Sequence, residues 1–271
     1  MTHSLGTALI TGASSGIGAV YADRLAKRGY DLILVARSEE KLKSLAARLT
    51  SETGRSVKPI AADLGDKAAL AKVEVVLRDD PSLTMLVNNA GTATLAPLLQ
   101  SDVDQMEAMI TLNVTALTRL TYAAAPGFVA RGGGTIINIG SVVGVMPERL
   151  NGVYGASKAY VLALTQSLQH ELAEKGVRVQ AVLPAATATD IWEKGGLHHS
   201  KLPAGTVMST EDMVDAALVG LDQGEVVTIP PLQDGTDWTR FEAARLALAP
   251  KFANSAPAPR YRAAEPARRI A

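Results

Sequence analysis

The chain alternates short apolar runs with longer amphipathic stretches. Thr7–Ile10 is apolar and leads directly into Thr11-Gly12, and a second apolar run covers Leu32–Ala36. Between them Ile17–Arg28 carries apolar residues at helical spacing, and Gly29 follows where a helix is expected to stop. This pattern predicts a strand, a helix and a second strand.

The same alternation continues to about residue 230. Further strands are predicted at Val57–Ala61, Thr84–Val87, Gly134–Ile139, Val177–Leu183 and Glu225–Ile229. Each follows a segment that is best interpreted as helix. Strands that alternate with helices predict an α/β fold, namely a doubly wound, seven-stranded parallel sheet of the Rossmann type with helices on both faces. Ligands then bind at the carboxyl ends of the strands.

Composition changes near the C-terminus. Residues 1–250 contain no internal repeat or break, so we expect one domain there. In residues 251–271, Pro257, Pro259 and Pro266 alternate with Ala and Arg, which disfavours both helix and strand. We expect a tail that is disordered or lies as an arm on a neighbouring subunit.

Charge and composition narrow the possible functions. Lys plus Arg and Asp plus Glu each total 27, so no global field attracts nucleic acid or an anionic membrane. The chain lacks cysteine, which removes disulfides and thiolate metal sites. Neither a signal-peptide pattern nor an apolar run long enough to span a bilayer is present, and we expect a cytoplasmic protein without a metal site.

A glycine-rich segment follows the first predicted strand. It runs from Thr11 to Gly18 and contains Gly12, Gly16 and Gly18. Glycines between a strand and a helix let the backbone turn sharply and approach a pyrophosphate, whose charge is met by the helix N-terminus. The spacing departs from Gly-x-Gly-x-x-Gly, so an ordinary glycine-rich turn stays open as an alternative.

The end of the second strand bears on the cofactor. A carboxylate there would bind the adenosine ribose and repel a 2′-phosphate, whereas this chain has Ala36 followed by Arg37 and Ser38. The guanidinium of Arg37 suits a phosphate. We therefore expect NADP(H) rather than NAD(H), with a plain surface arginine as the alternative interpretation.

A tyrosine and a lysine four residues apart form the candidate catalytic pair. Tyr154 and Lys158 share one face of a predicted helix, and Ser141 lies thirteen residues upstream of the tyrosine. Moving a phenol pKa from about 10 to about 7 requires on the order of 4 kcal/mol, more than an exposed lysine supplies. The hypothesis therefore makes a cationic cofactor part of the catalytic unit; taken alone, the pair also fits a solvated helix face.

With these motifs in this order, residues 5 to 230 resemble the classical short-chain dehydrogenase/reductase family. The Thr11–Gly18 loop is similar to the family's cofactor loop, and Asn88-Asn89-Ala90-Gly91 resembles its fourth-strand signature. The resemblance implies a catalytic tetrad of Asn113, Ser141, Tyr154 and Lys158. The cofactor-binding residues that it implies, together with Arg37, are Gly12, Ser14, Ser15, Gly16, Ile17, Gly18, Asp63, Leu64, Asn89, Ala90, Gly91, Tyr154, Lys158 and Thr189.

Each residue also has a structural interpretation. Asn88 and Asn89 would brace a strand end, Asn113 would satisfy buried backbone groups, and Ser141 would be a turn hydroxyl. One segment departs from the family pattern, because Pro184 is followed by Ala185 instead of the usual glycine. Positive φ is then less accessible, which puts the local geometry before Thr189 in doubt.

The resemblance implies hydride transfer between nicotinamide and a carbonyl or secondary alcohol, with Tyr154 as the general acid or base. Ser141 would hold the carbonyl oxygen, Lys158 would lower the tyrosine pKa and bind the nicotinamide ribose, and Asn113 would support a proton relay. Two alternatives stay open: a 3-oxoacyl-thioester reductase, and a non-catalytic nucleotide-binding scaffold that kept the fold.

Substrate choice is assigned to the segment from Asp190 to Ser209. Its apolar residues and glycines predict a mobile lid over an apolar pocket for a medium-sized ketone, aldehyde or secondary alcohol. His198 and His199 lack metal-ligand spacing and are interpreted as lid or surface residues. The resemblance implies a homodimer or homotetramer, and excess apolar residues on the helices predicted at Asp102–Ala125 and Val153–Glu174 favour an oligomer.

Overall fold

The computed structural model describes residues 5–189, 200, 202–203 and 205–261. By its internal contacts the chain divides into two compact units, Met1–Pro231 and Leu232–Ala271. The first unit holds a seven-stranded parallel sheet, so the predicted fold class is confirmed. Its strands are β1 Thr7–Thr11, β2 Asp31–Ala36, β3 Val57–Ala61, β4 Leu83–Asn88, β5 Gly134–Ile139, β6 Val177–Val182 and β7 Val227–Thr228.

The helices connect these strands as the periodicity predicts. They are α1 Gly16–Arg28, α2 Glu39–Thr53, α3 Lys67–Asp79, α4 Val103–Ile110, α5 Leu117–Ala130, α6 Gly152–Leu172 and α7 Thr210–Asp222, and the second unit contains α8 Gly235–Leu246. Helix α1 ends at Gly29, whose φ of 103° is the left-handed conformation that terminates helices. The predicted tail beyond residue 250 lies within the second unit.

Strand order is β3-β2-β1-β4-β5-β6-β7. The order reverses between β1 and β4, where a crevice opens at the carboxyl ends of the strands. Strand β3 forms one edge, and this position accommodates Pro59, which pairs with Leu34 of β2.

Alternating side chains of the strands build a separate core on each face of the sheet. Ala8 and Ile10 face α1, α2 and α7, whereas Leu9 between them faces α3, α5 and α6. Both faces are apolar because each is covered by helices, as the low aromatic and high aliphatic content indicates. The two cores hold the strand ends, and thereby the crevice, in fixed positions.

Two predicted elements differ from the structure. The helix expected at Asp102–Ala125 is interrupted by a π-helical turn, Thr111–Ala116, and continues to Ala130. The strand expected at Glu225–Ile229 is reduced to two residues, because only Val227 and Thr228 pair with β6.

Among the described residues, no helix combines the length and the apolar character that crossing a membrane requires. Cytoplasmic localisation and a homo-oligomeric state stay predictions.

Candidate active site

The crevice at the β1–β4 reversal contains two adjoining cavities. One has a volume of about 630 Å³ and lies against the glycine loop, and the other, of about 440 Å³, lies against Tyr154. Four residues line both cavities: Ile17, Asn89, Gly91 and Thr189. Because they share walls, the two cavities form one cleft. The predicted cofactor and catalytic residues line it, except Gly18 and Asn113, which line neither cavity.

Conformation and close packing require glycine in the loop after β1. Gly12 and Gly16 have φ of 65° and 55°, in the left-handed region that disfavours other residues. A Cβ on Gly18 would clash with the Gly12 carbonyl oxygen and come within 2.6 Å of Asn89 Nδ2. The loop is therefore held closely against α1 and β4, with its backbone on the cleft.

The N-terminus of α1 completes this end of the cleft. Ser14, Ser15, Gly16 and Ile17 line the cavity, and Ser15 occupies the N-cap position without a side-chain capping bond. The first N–H groups of an α-helix lack partners within the helix and carry partial positive charge. Backbone and hydroxyl groups here thus suit an anionic diphosphate.

Asn89 and Thr11 brace the loop. The Thr11 hydroxyl accepts hydrogen bonds from the backbone N–H groups of Asn89 at 2.9 Å and Ala90 at 3.0 Å. The Asn89 amide donates to the carbonyls of Thr11 at 2.9 Å and Gly12 at 3.2 Å. The bracing role raised as an alternative for Asn89 is present, and the same residue lines both cavities.

Asn88 points into the protein interior. Its amide donates to the side chains of Thr121 and Asn138, both at 3.0 Å. Asn138 in turn donates to Thr165 of α6 at 2.9 Å. This buried network joins the ends of β4 and β5 to the helices behind them, so Asn88 has the structural role.

Cationic residues lie at the far end of the larger cavity. Arg37 follows β2 and lines the cavity with Ser38, Lys41, Asp63 and Leu64. Arg37 is exposed and forms no ion pair with the part of the chain that the structure describes. Asp63 accepts a hydrogen bond from Gly65 N at 2.9 Å, which shapes the turn after β3. The sequence reasoning did not assign Lys41 to the cofactor site, although it lies four residues after Arg37.

The catalytic candidates Ser141, Tyr154 and Lys158 line the smaller cavity. Ser141 follows β5, and its hydroxyl accepts from Val143 N at 3.3 Å and donates to the Pro184 carbonyl at 3.4 Å. The Ser141 hydroxyl therefore stabilises the turn after β5, as its structural interpretation expects, and it also lines the cavity beside the Tyr154 phenol. Tyr154 packs with Met106, Met109 and Val143, which form a small apolar cluster at the cleft.

Burial dominates the electrostatics of the tyrosine. It raises the pKa of Tyr154, because an apolar surrounding disfavours the phenolate, while a side-chain hydrogen bond with Ser141 acts in the lowering direction. The expectation that Lys158, together with a bound cationic cofactor, lowers this pKa stays a prediction. In the protein chain itself the direction of the shift is set by desolvation, which the sequence does not display.

Lys158 is buried rather than exposed. Its ammonium donates to the carbonyl of Ile139 at 2.9 Å and lies 5.8 Å from the centre of the Tyr154 ring. Burial lowers the pKa of Lys158 to about 8. At neutral pH the group is still mostly protonated, so a positive charge stands beside the phenol ring.

Asn113 lies in the π-helical turn and is almost fully buried. Its side chain both accepts from Thr92 N and donates to Thr92 O, each at 2.9 Å, and it donates to Ser157 Oγ at 3.2 Å. Ser157 donates to the Tyr154 carbonyl at 2.7 Å. Asn113 thus satisfies buried backbone groups and also connects to the catalytic helix. Turns of π-helix are frequent at functional sites.

Asn151, which the sequence reasoning missed, lines neither cavity but caps the helix that carries Tyr154. It caps α6 by accepting from Val153 N at 2.9 Å and Tyr154 N at 3.3 Å. Its amide donates to the Ala96 carbonyl at 2.6 Å. An asparagine directly before an amphipathic run is an N-cap signal that marks this position in the sequence.

The segment after β6 has an ordinary backbone. None of the described non-glycine residues has a positive φ, so Ala185 and Ala186 adopt conformations open to any residue. Thr187 pairs with Met208, and Thr189 lies close to Gly16. The missing glycine therefore does not remove Thr189 from the cleft.

Most of the predicted lid lies outside the described residues. This applies to 190–199, which contain Ile191, Trp192, Lys194, Gly195, Gly196, Leu197, His198 and His199, and to Lys201 and Ala204. Within the described part of the chain, no three His, Cys, Asp or Glu side chains are grouped as a metal site would require.

Comparison with known proteins agrees with the geometry of the cleft. A family model described as short chain dehydrogenase matches residues 6–198. The chain belongs to the short-chain dehydrogenase family. It is therefore an oxidoreductase, and the family predicted from the motifs is confirmed.

Two solved structures and one further relative show what this chain is similar to. A short-chain dehydrogenase from Sphingobium yanoikuyae, solved in complex with NADPH, is 52% identical with a TM-score of 0.93, over 95% of this chain and 100% of that one. A bulky-bulky ketone specific alcohol dehydrogenase from Comamonas testosteroni is 46% identical with a TM-score of 0.88, over 96% and 99%. A very-long-chain 3-oxoacyl-CoA reductase from Anas platyrhynchos is 36% identical over 67% of this chain and 60% of that protein.

Proposed function

We propose that this short-chain dehydrogenase is an NADPH-dependent reductase of ketones with two bulky substituents, and that Tyr154 is its general acid. The observation that carries the proposal is the continuous cleft. One end holds the glycine loop and Arg37, and the other holds Ser141, Tyr154 and Lys158. The residues of the first end would hold a dinucleotide, and Tyr154 at the second end would then be available to its reacting group.

The residues of the larger cavity fit NADPH. Gly12 and Gly16 expose the loop backbone on the cavity, and the N-terminus of α1 supplies N–H groups for the diphosphate. Arg37 and Lys41 offer cations for a 2′-phosphate, and β2 ends without the carboxylate that NAD favours. The NADPH complex of the Sphingobium protein supports this choice.

The cofactor supplies the hydride for reduction of the carbonyl carbon. The phenol of Tyr154 donates its proton to the carbonyl oxygen, and the Ser141 hydroxyl holds that oxygen in place. A phenol with a raised pKa is protonated at neutral pH, which is the form that a general acid needs. Lys158 places positive charge beside the phenol as it becomes phenolate, and Asn113 fixes the first turns of α6 through Ser157.

The smaller cavity favours apolar substrates of some size. Its volume of about 440 Å³ lies in the usual range for small-molecule sites, and Val142, Val143, Met146 and Leu150 line it. The Comamonas protein supports a ketone with two large substituents.

A 3-oxoacyl-thioester reductase is the second candidate, and the similarity to the duck 3-oxoacyl-CoA reductase favours it. That protein is less similar than the two structural neighbours, and this chain matches 60% of it. The substrates of the two candidates differ in one group. A 3-oxoacyl thioester carries a large, charged carrier on the chain that holds the carbonyl, whereas a bulky ketone does not.

The test is a titration of the purified protein with NADPH and NADH, followed by NADPH oxidation with aryl ketones of increasing bulk and with a 3-oxoacyl thioester. We expect tighter binding of NADPH and turnover of ketones with two bulky substituents. Turnover restricted to the thioester would favour the second candidate, and binding of neither nucleotide would refute the proposal.

A further inference from the structure

Among the residues that the structure describes, the smaller cavity is lined by one exposed cation, Arg149. Among the described residues that line this cavity, the cations are Lys158 and Arg149. Lys158 is buried and donates to the Ile139 carbonyl, so its charge belongs to the catalytic centre. Arg149 is exposed and forms no ion pair with any residue that the structure describes.

The turn that carries Arg149 is fixed against the catalytic helix. Pro147–Arg149 form a single 3₁₀ turn, in which Arg149 N donates to the Met146 carbonyl at 3.2 Å. A Cβ on Gly155 would lie 3.1 Å from Pro147 Cα, so the turn packs directly on the first turn of α6. The Asn151 cap connects the end of this turn to Tyr154 N. Arg149 therefore has a defined place relative to the phenol.

The surroundings of Arg149 are apolar on the cavity side. Met146, Leu150, Val142 and Val143 line the cavity with it. Glu148 is its neighbour in the turn but does not line the cavity. A guanidinium at the rim of an apolar cavity matches a ligand with an apolar body and an anionic end.

We propose that the natural substrate is an oxo acid: a ketone with an apolar body whose terminal carboxylate binds Arg149 at the cavity mouth while the carbonyl lies at Tyr154. This inference rests on the proposed ketone reductase function and adds the substrate class. A carboxylate accepts two parallel hydrogen bonds from a guanidinium, which gives orientation as well as attraction. Because Arg149 is exposed, the pair contributes modestly and its contribution falls with added salt.

The experiment compares γ-benzoylbutyrate with its primary amide, which has the same shape without the charge. In the wild-type enzyme we expect a lower KM for the acid. The substitution Arg149→Gln should raise the KM of the acid by about three- to tenfold and leave its kcat and the KM of the amide nearly unchanged. Arg149→Lys should recover part of the lost affinity for the acid. Added salt should reduce the preference for the acid over the amide in the wild type but not in Arg149→Gln.

The matched control is Lys175→Gln, which removes the same charge from the exposed turn that follows the far end of α6. We expect it to alter neither KM. Equal changes in both substrates, or no change, in Arg149→Gln would overturn the inference while the reductase function stands. A 3-oxoacyl-CoA thioester that depends on Arg149 when the acid does not would also overturn it, in favour of a phosphate ligand. Absence of turnover of both acid and amide by the wild type, when bulky neutral ketones are reduced, would refute the substrate class alone.

Discussion

Lys158 donates a hydrogen bond to the carbonyl of Ile139 at 2.9 Å, which ties helix α6 to the end of the strand that leads into Ser141. This contact holds the helix that carries Tyr154 beside the strand end that carries Ser141. It also satisfies an ammonium that is otherwise buried without a carboxylate beside it among the described residues. The first prediction follows from this burial.

Lys158→Met should change how the free energy of unfolding depends on pH. The pKa of Lys158 is lowered from 10.5 to about 8 in the folded state, so between these values the folded protein binds fewer protons than the unfolded one. Raising the pH through this window therefore stabilises the wild type relative to the variant, by on the order of 3 kcal/mol in total. Urea unfolding of both proteins from about pH 7 to pH 10.5 measures the difference, and a difference that stays constant would contradict the prediction.

Tyr154→Phe should abolish most turnover and spare cofactor binding. Loss of a positioned general acid typically lowers kcat by about 10²- to 10⁴-fold. The ring still fills its place against Met106 and Met109, so the Kd for NADPH should change little. The control is Tyr160→Phe on the same helix, whose hydroxyl contacts Thr118 and does not line the cleft. Equal activity of the two variants would exclude Tyr154 as the acid.

Arg37→Gln should weaken NADPH and leave NADH unaffected. Loss of a charge-assisted hydrogen bond to phosphate corresponds to roughly 10- to 100-fold in Kd. Lys41→Gln should act in the same direction with a smaller effect. Lys43→Gln is the charge-matched control, since Lys43 pairs with Glu39 and lies outside the cavity lining. Fluorescence titration measures the Kd of each nucleotide. An equal loss of affinity for NADH would show that Arg37 does not recognise the 2′-phosphate.

Asn151→Ala should lower both stability and kcat. The variant loses the cap of α6, which is worth about 0.5–2 kcal/mol, and the hydrogen bond to the Ala96 carbonyl. Asn151→Asp keeps the capping oxygen but cannot donate to Ala96, so it should retain more stability than the alanine variant. Thermal unfolding and steady-state kinetics separate the two roles, and identical behaviour of the variants would mean that the cap contributes nothing.

Gly18→Ala should disrupt the cofactor loop. The added methyl group would collide with the Gly12 carbonyl and the Asn89 amide, which cannot move without breaking the brace at the end of β1. We expect loss of NADPH binding and a lower melting temperature. Gly152→Ala is the matched control, because a Cβ there meets nothing within 4 Å. If both variants bind NADPH normally, the close approach is not required.

The sequence predicted the elements whose signal is local. The alternation of Ala8, Leu9 and Ile10 between the two cores, the stop at Gly29 and the glycine loop are each encoded in a few neighbouring residues. Arg37 was predicted from its position after the second strand and Thr189 from the family resemblance, and the structure brings both to one cleft.

What the sequence could not predict depends on tertiary surroundings. The raised pKa of Tyr154 arises from residues far apart in the chain that exclude water from the phenol. Strand β7 is short because only Val227 and Thr228 of residues 225–229 pair with β6. The π-helical turn was missed because apolar periodicity does not reveal whether a helix contains one extra residue.

Because of that π-helical turn, the number of residues between α4 and α5 determines the geometry of the active site. An α-helix advances about 100° per residue, so deletion of one residue within Thr111–Ala116 would rotate α5 by that angle relative to α4. The side chains that α5 packs behind the sheet and the side chain of Asn113 would then be out of phase with each other. Insertions and deletions are therefore tolerated far less here than substitutions, and any chimera of this enzyme must take α4, the π-helical turn and α5 from one parent.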